Sequence, residues 1–199
     1  MLIGGSGADS LVGGDDLDRA SYVGSAAGVT VNLATGLGTG GDAEGDVLSG
    51  IENLTGSSHG DSLTGDAGNN ALSGGAGGDT LTGGAGRDLL TGGAGADAFV
   101  FNAAPGAGQV DRVADFVAAD DTIWLDRAVF AGLSAGALSA DAFVANATGS
   151  AADGQDRILY ETGTGRLYFD ADGTGSAARV LFATLAPGLT LASTDFQVI

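Results

Sequence analysis

Acidic side chains recur every nine residues in the middle of this chain. From Gly56 to Val100, five nonapeptides follow one another without a gap, each close to the template G-G-x-G-x-D-x-U-x, where U is a large apolar residue. The sixth positions hold four aspartates and one asparagine: Asp61, Asn70, Asp79, Asp88 and Asp97. Such oxygen-bearing side chains, repeated in loops rich in backbone carbonyls, are typical ligands of Ca²⁺.

Short strands and glycine turns must position these side chains. Positions 7 to 9 of each repeat form a strand whose central residue points to the opposite face from its neighbours. Position 8 is always large and apolar: Leu63, Leu72, Leu81, Leu90 and Phe99. Glycines supply the positive φ angles that a tight reversal of the chain requires. Two reversals complete one turn of eighteen residues, so each repeat is expected to lie on the repeat after the next. The pattern predicts a parallel β-roll.

The distance between stacked strands indicates which ion the loops bind. Stacked strands lie about 4.8 Å apart, and Ca²⁺ binds oxygen at about 2.3–2.6 Å, so one ion can bridge two stacked loops. Without the ion, carboxylates at that distance repel by roughly 0.8 kcal/mol in water and by several-fold more near protein. The roll is therefore expected to close only when calcium binds. The glycines predicted to complete the sites through their loops are Gly56, Gly65, Gly74, Gly75, Gly77, Gly83, Gly84, Gly86, Gly92, Gly93 and Gly95.

The repeats resemble the RTX (repeats-in-toxin) block of proteins that type I secretion systems export. The resemblance implies that calcium lies between repeats n and n+2, held by the position-6 side chains and by loop carbonyls. Carried onto this chain, the pairs are Asp61 with Asp79, Asn70 with Asp88, and Asp79 with Asp97. The Asn70 pair lacks one formal charge, so its site is expected to be weaker. About four to six Ca²⁺ ions are expected in all.

Weaker copies of the repeat precede the block. Three segments carry an aspartate at position 6: Asp9 in Gly4–Val12, Asp18 in Gly13–Ser21 and Asp46 in Gly41–Ser49. Residues 22–55 are interpreted as a degenerate insert that continues the solenoid, with a strand at Val29–Leu33 and a rung without a loop at Gly50–Thr55. Residues 1–3 fit positions 7 to 9 of a preceding repeat, with Leu2 at the apolar position. The chain is therefore expected to be the C-terminal piece of a longer protein; a true start at Met1 is the alternative.

Residues 101–199 leave the repeat register and predict a small β-rich capping domain with short helices. Gln109–Phe116 and Asp120–Leu125 alternate apolar and polar residues, as a terminal pair of strands should. They resemble the segment that closes RTX rolls in serralysin-type proteins. A cap is also needed physically, because the last rung would otherwise expose apolar surface and unpaired backbone groups.

Several local patterns follow the capping segment. Helices are predicted at Asp126–Leu133 and Ala140–Val144, and a β-hairpin is predicted from strands Arg157–Glu161 and Arg166–Asp170. Asp170–Gly175 resembles a fragment of a calcium loop. It lacks the distal glutamate of an EF-hand, so a turn is the favoured interpretation.

The chain ends in an acidic residue followed by mostly hydrophobic ones, Asp195–Ile199. Type I substrates of the serralysin and lipase kind often end in this way, so the resemblance implies an export signal in the C-terminal region. An edge strand packed on the cap is the alternative, and the two can hold at different stages. Residues 1–10 have neither the basic nor the apolar region of a signal peptide. No apolar run approaches the roughly 20 residues of a membrane span.

The charge balance excludes some partners. The chain has a net charge of −18, from 22 Asp and three Glu against seven Arg and no Lys. Short carboxylates in loops suit metal ligation and turns, whereas a merely solvated surface would use glutamate as freely. So acidic a chain argues against nucleic acid and anionic membranes as partners. The absence of cysteine excludes a disulfide framework.

Two segments match catalytic or cofactor-binding motifs, but the other residues or elements that these motifs require are missing. Gly132–Gly136 fits the nucleophile elbow G-x-S-x-G, which needs a later histidine, but the only histidine is His59. A zinc protease needs two histidines in H-E-x-x-H. Gly36–Gly41 fits G-x-G-x-x-G, but no helix follows it. His59 is expected to be a solvent-exposed variant at loop position 4.

The sequence thus predicts an all-β chain with a roll at 1–100 and a cap with the secretion signal at 101–199. The expected function is that of a non-catalytic, monomeric, secreted bacterial module. It would carry a passenger such as a protease or a lipase through a type I exporter and fold outside on Ca²⁺. The alternative is the end of an RTX adhesin or surface-layer-type structural protein. Sequence upstream of Met1 would discriminate the two.

Overall fold

A computed structural model describes residues 1–199, and its regular structure is almost entirely β. In chain order the strands are β1 (Ser10–Val12), β2 (Arg19–Ser21), β3 (Thr30–Asn32), β4 (Leu37–Thr39), β5 (Val47–Ser49), β6 (Asn53–Thr55), β7 (Ser62–Thr64), β8 (Ala71–Ala76), β9 (Thr80–Thr82), β10 (Leu89–Ala94), β11 (Ala98–Phe101), β12 (Asp111–Val113), β13 (Thr122–Leu125), β14 (Gly136–Ala137), β15 (Phe143–Asn146), β16 (Ile158–Glu161), β17 (Arg166–Phe169), β18 (Val180–Thr184) and β19 (Phe196–Val198). Three-residue 3-10 helices lie at Gly41–Ala43, Ala140–Ala142 and Ser193–Asp195. No helix is long and apolar enough to cross a membrane.

The strands form two sheets, and successive repeats of the regular block contribute their strands to alternate sheets. One sheet has ten strands in the order β1-β5-β4-β3-β7-β9-β11-β13-β19-β14, and the other has nine in the order β15-β16-β17-β18-β12-β10-β8-β6-β2. Alternate repeats pair in parallel, with Ser62 opposite Thr80 and Ala71 opposite Leu89. These pairs are eighteen residues apart, which confirms the predicted stacking of each repeat on the repeat after the next and the predicted β-roll.

The inward-facing residues of the repeats form the core between the sheets. Each of the following is at most 1 % exposed: Val31, Leu54, Leu63, Leu72, Leu81, Leu90, Phe99, Val113 and Ile123. Neighbouring strand residues point the other way, so Leu89 remains 39 % exposed beside the fully buried Leu90. The roll is thus stabilised by one narrow apolar layer, as the repeat template predicts.

Glycine is required in the loops for both conformation and space. Gly75 and Gly77 have φ angles of 121° and 117°, which other residues rarely adopt. A Cβ on Gly77 would also lie 2.6 Å from the backbone nitrogen of Gly60 in the stacked loop. Loops this close can stack only where the side chain is a hydrogen atom.

The insert at 22–55 extends both sheets, but β4 pairs antiparallel with β3 and with β5, which departs from the parallel solenoid that was predicted. Strand β3 lies within the predicted strand Val29–Leu33 and pairs in parallel with β7. Strand β6 lies in the predicted rung Gly50–Thr55 and joins β2 to β8. Leu2 forms a parallel bridge with Ala20 and packs against the core, which is the place that its repeat position predicts.

The cap extends both sheets beyond the repeats. Strand β12 pairs in parallel with β10, and β13 with β11, so each sheet gains one rung. Aromatic rings then close the end of the core: Phe130 lies 5.1 Å from Phe182 and 5.3 Å from Phe169, between ring centroids. The predicted boundary at Val100 falls inside β11, and the sheets are continuous across it. The division into a roll and a capping domain remains a prediction.

The predicted helix at Asp126–Leu133 is wrong, the one at Ala140–Val144 is a 3-10 helix over Ala140–Ala142 only, and the predicted hairpin is right. Asp126–Leu133 is a turn, in which Phe130 N–H donates to the carbonyl of Asp126 over 2.8 Å and Gly132 has a φ of 90°. Ala140–Val144 begins as a 3-10 turn, but from Phe143 its backbone pairs with β16, because Phe143 is drawn into the core against Phe196. β16 and β17 pair antiparallel as predicted. Residues 170–175 contain no strand or helix, in agreement with the favoured turn.

Adjacent leucines provide a matched test of the core. We expect Leu90→Ala to lower the free energy of unfolding of the calcium-loaded chain by about 2–5 kcal/mol, because it leaves a cavity in the apolar layer. Leu89→Ala, the same substitution one residue earlier, should cost about 1 kcal/mol or less, since Leu89 is half-exposed. Urea denaturation followed by circular dichroism measures both. Equal losses would contradict the assignment of inward and outward faces.

Candidate metal centre

The position-6 side chains line up along the roll as two columns. The ten-strand column, beside the ten-stranded sheet, contains Asp61, Asp79 and Asp97; the nine-strand column contains Asn70 and Asp88. In each column the backbone N–H of one member donates to Oδ1 of the member eighteen residues later: Asp61 to Asp79 (2.8 Å), Asn70 to Asp88 (2.8 Å) and Asp79 to Asp97 (2.9 Å). The three residue pairs expected from the repeats are thus brought together. Their ligation of calcium remains a prediction.

The second carboxylate oxygen in these columns often has no partner within the protein. Oδ2 of Asp79, Asp88 and Asp97 is buried and accepts no hydrogen bond, and each residue is only 1–2 % exposed. Leaving a buried charged oxygen unpaired costs more than the about 1–3 kcal/mol of a neutral group. These oxygens therefore need a positively charged partner that the polypeptide does not supply.

A backbone carbonyl from the stacked loop faces the same space. A Cβ built on Gly74 would contact Oδ2 of Asp79 and would lie 2.7 Å from the carbonyl oxygen of Gly92. The same construction on Gly56 meets Oδ2 of Asp61 and the carbonyl oxygen of Gly74. Oxygens from repeats n and n+2 thus converge beside Gly56, Gly65 and Gly74. No group of three or more acidic or histidine side chains forms a metal site, so the fit to Ca²⁺ rests on mixed carboxylate and carbonyl oxygens.

No cationic side chain neutralises the columns. The only ion pair in the structure joins Arg166 to Glu161 over 3.9 Å. Burial is the main cause that raises the pKa of Asp79 and Asp88 to about 6, and for Asp79 the charges of Asp61 and Asp97 contribute to this rise. Burial likewise raises the pKa of Asp97. A divalent cation would favour the ionised form of all three carboxylates.

The weaker repeats form similar pairs, with differences in the partner residues. Asp9 N–H donates to Oδ1 of Asp46 over 2.8 Å, as in the regular pairs, but Oδ2 of Asp46 accepts the hydroxyl of Tyr22 at 3.0 Å. Asp18 N–H donates to Glu52 over 2.8 Å. Glu52 was not predicted as a member of such a pair; it directly precedes β6, as the position-6 residues of the regular repeats precede their strands. Its place before β6 was the available signal.

The columns also continue into the cap, which the sequence analysis missed. Asp88 N–H donates to Oδ1 of Asp111 over 2.9 Å, and Asp97 N–H donates to Oδ1 of Asp121 over 3.0 Å. Both acceptors are buried, and burial raises the pKa of Asp111 to about 7. The separations are 23 and 24 residues, so the nine-residue period could not find them. The only signal was an aspartate within each predicted capping segment, and in the structure Asp111 begins β12 and Asp121 directly precedes β13.

The sites of the catalytic motif matches contain no catalytic constellation. His59 is exposed in a loop, and its backbone N–H donates to the hydroxyl of Ser57 over 3.0 Å. Ser134 lies in a loop before β14, without the strand-to-helix turn of a nucleophile elbow.

Comparison with known families agrees with this geometry. Residues 1–20, 46–81 and 73–103 match the RTX calcium-binding nonapeptide repeat, in four copies. No curated protein matches the chain.

Two aspartates in different surroundings provide a graded test of the columns. Asp79 accepts from one neighbour and donates its N–H to the next, whereas Asp9 has a partner on one side only. We expect Asp79→Ala to raise the calcium concentration at the folding midpoint more than Asp9→Ala does. Asp120→Ala, at an exposed cap position, is the control and should leave it unchanged. Circular dichroism during a calcium titration measures the three midpoints. Equal midpoints for Asp79→Ala and Asp9→Ala would contradict the stacked pairs.

Proposed function

The chain carries RTX calcium-binding nonapeptide repeats, and we propose that it is a non-catalytic module that folds on Ca²⁺ after export through a type I secretion system. In this proposal its C-terminal region also carries the secretion signal, and the chain is a monomeric part of a larger secreted bacterial protein. The observation that carries the proposal is the set of buried carboxylate oxygens without a partner in Asp79, Asp88 and Asp97.

These carboxylates make folding conditional on an ion. Calcium supplies the positive charge that pairs with them. The position-6 N–H groups hold the carboxylates of stacked repeats in register. A net charge of −18 opposes compaction when that pairing is missing.

Mass action gives the expected size of the effect. A site with a Kd near 10⁻⁴ M contributes roughly 1.4 kcal/mol at about 1 mM calcium. Four such sites contribute roughly 5–6 kcal/mol, which is comparable to the whole stability of a small domain. Where calcium is far below the Kd, as in a cytosol, this term vanishes and the chain stays extended enough to pass through an exporter.

We expect the isolated chain to be largely unfolded in chelator and to gain β structure at about 1 mM calcium. Far-UV circular dichroism measures the change. Magnesium at the same concentration is the control and should substitute poorly, because its small octahedral shell retains water. A spectrum that is the same in chelator and in calcium would refute the calcium-dependent folding of this module.

The position of the last residues fits a signal that is recognised before folding. Phe196 and Val198 are 1 % exposed, and their strand β19 lies between β13 and β14. An exporter could contact these side chains only while the roll is open. A signal within Asp195–Ile199 and a folded strand at the same place are therefore compatible, because they belong to different stages.

Export and folding can be separated with two variants of a fusion to a slow-folding passenger, co-expressed with a type I exporter. Removing all residues after Leu125 should abolish secretion, because it removes the proposed signal. Asp79→Ala, which impairs folding but leaves the C-terminal region intact, should still be secreted. Passenger in the medium is the readout. Secretion that survives the deletion would show that the signal lies elsewhere.

A further inference from the structure

A groove on the outer face of the nine-stranded sheet is lined by three of the seven arginines of this acidic chain. This arginine groove has a volume of about 550 Å³, and its arginines are Arg87, Arg112 and Arg166. Asp88 is the only acidic residue in the lining. The lining is therefore positively charged, although the chain as a whole has a net charge of −18.

The register of the strands places two of these arginines in one row. Arg112 of β12 lies opposite Leu89 of β10 on one side and opposite Thr184 of β18 on the other. Thr184 in turn lies opposite Arg166 of β17. Arg112 and Arg166 are thus two strands apart, which is about 10 Å. Two anionic groups on one ligand can therefore meet two arginines at once.

An irregularity in β18 builds the floor of the arginine groove. Phe182 and Ala183 are consecutive and both buried, and the register between β17 and β18 shifts at this point. Leu181 and Thr184 consequently both lie on the outer face and line the groove. Strand irregularities of this kind redirect side chains and are frequent beside functional sites. Leu89 extends the apolar part of the floor, and it is 39 % exposed.

The guanidinium groups of the groove have few partners within the protein. Arg166 pairs with Glu161 over 3.9 Å, in the only ion pair of the chain, and its side chain is 51 % exposed. Arg87 and Arg112 form hydrogen bonds only through their backbone groups. Arg179, by contrast, donates its guanidinium to a backbone carbonyl. The positive charge of the groove is therefore free to pair with a ligand.

The groove and its surroundings limit the chemistry of that ligand. A guanidinium binds a carboxylate or a phosphate through two parallel N–H donors. Phosphates precipitate with calcium, on which the proposed folding depends, whereas simple carboxylates stay in solution. A long polyanion would extend from the groove onto acidic surface that repels it. The volume of the groove is within the range of about 300–1,000 Å³ that is typical of sites for small molecules.

We propose that the arginine groove binds a small organic dicarboxylate. One carboxylate pairs with Arg112 and Arg87, the other pairs with Arg166, and the carbon chain between them lies over Leu181. The inference goes beyond the proposed function, because it concerns a second ligand and a face away from the glycine loops. A groove that binds no dicarboxylate would leave calcium-dependent folding untouched, so the two proposals fail separately.

Nuclear magnetic resonance of the full chain in calcium tests the groove directly. The probe is suberate, a linear dicarboxylate, and the control is octanoate, which has the same number of carbons and one carboxylate. Suberate should shift the amide resonances of Arg112, Thr184 and Arg166. Its Kd should be lower than that of octanoate by about tenfold or more, because the second carboxylate adds a charge-assisted pair. Equal Kd values, or shifts confined to the glycine loops, would overturn the proposal.

Substitution of the arginines separates the groove from any binding of carboxylates to calcium in the columns. Arg112→Gln and Arg166→Gln should each raise the Kd for suberate by about tenfold or more. Arg19→Gln, at an exposed position of β2 at the other end of the same sheet, is the matched control and should bind like the parent. An unchanged calcium midpoint in circular dichroism shows that each variant folds. An unchanged Kd for suberate in both groove variants would overturn the proposal.

A polymer distinguishes a small ligand from a polyanion. Carboxymethyl-dextran carries the same anionic group on a long chain, and uncharged dextran is its control. We expect carboxymethyl-dextran to bind more weakly per carboxylate than suberate does, because its chain extends over acidic surface. Binding of this polymer that requires Arg112 and Arg166, together with no binding of suberate, would overturn the assignment to a small dicarboxylate.

Discussion

The structure depends on carboxylates held one above another at the spacing of stacked strands. The backbone fixes this arrangement, because the N–H groups of Asp61, Asn70 and Asp79 each donate to the carboxylate two repeats later. Carboxylates at strand spacing repel each other, and no arginine offsets that repulsion. The stacking that buries the leucines thus also concentrates negative charge. A bound cation would offset the repulsion between the carboxylates and so allow the leucines to stay buried.

The core of the roll is thin, so the repulsion between carboxylates weighs heavily against its apolar burial. Each rung contributes one inward side chain, such as Leu72 or Leu81, so the apolar layer is narrow compared with that of a globular domain. Loops with glycines at positive φ also lose much conformational entropy when they become ordered. The cap, in contrast, has a cluster of aromatic rings around Phe130 that does not depend on the carboxylate columns.

The sequence predicts the parts of the fold that obey a period. Strict nine-residue spacing predicted the stacking of Leu63 on Leu81, because register and side-chain direction follow from the period. The residue pairs of both columns were implied by the resemblance to the RTX repeats and lie together as expected. The spacing missed Asp111, Asp121 and Glu52, because these residues reach the same positions after loops of other lengths. The helix expected at Asp126–Leu133 failed for a different reason: a short apolar pattern does not distinguish a turn that buries Phe130 from a helix that would do so.

Hydrogen exchange at the backbone amides of the columns tests the central claim most directly. The N–H groups of Asp61, Asp79 and Asp97 donate to carboxylates whose positions depend on the stacked loops. The account predicts that these amides exchange slowly in calcium and at nearly the rate of an unfolded chain in chelator, together with the amides of β7, β9 and β11. Equal protection of the column amides in chelator and in calcium would contradict it, because the carboxylates would then stack without a cation.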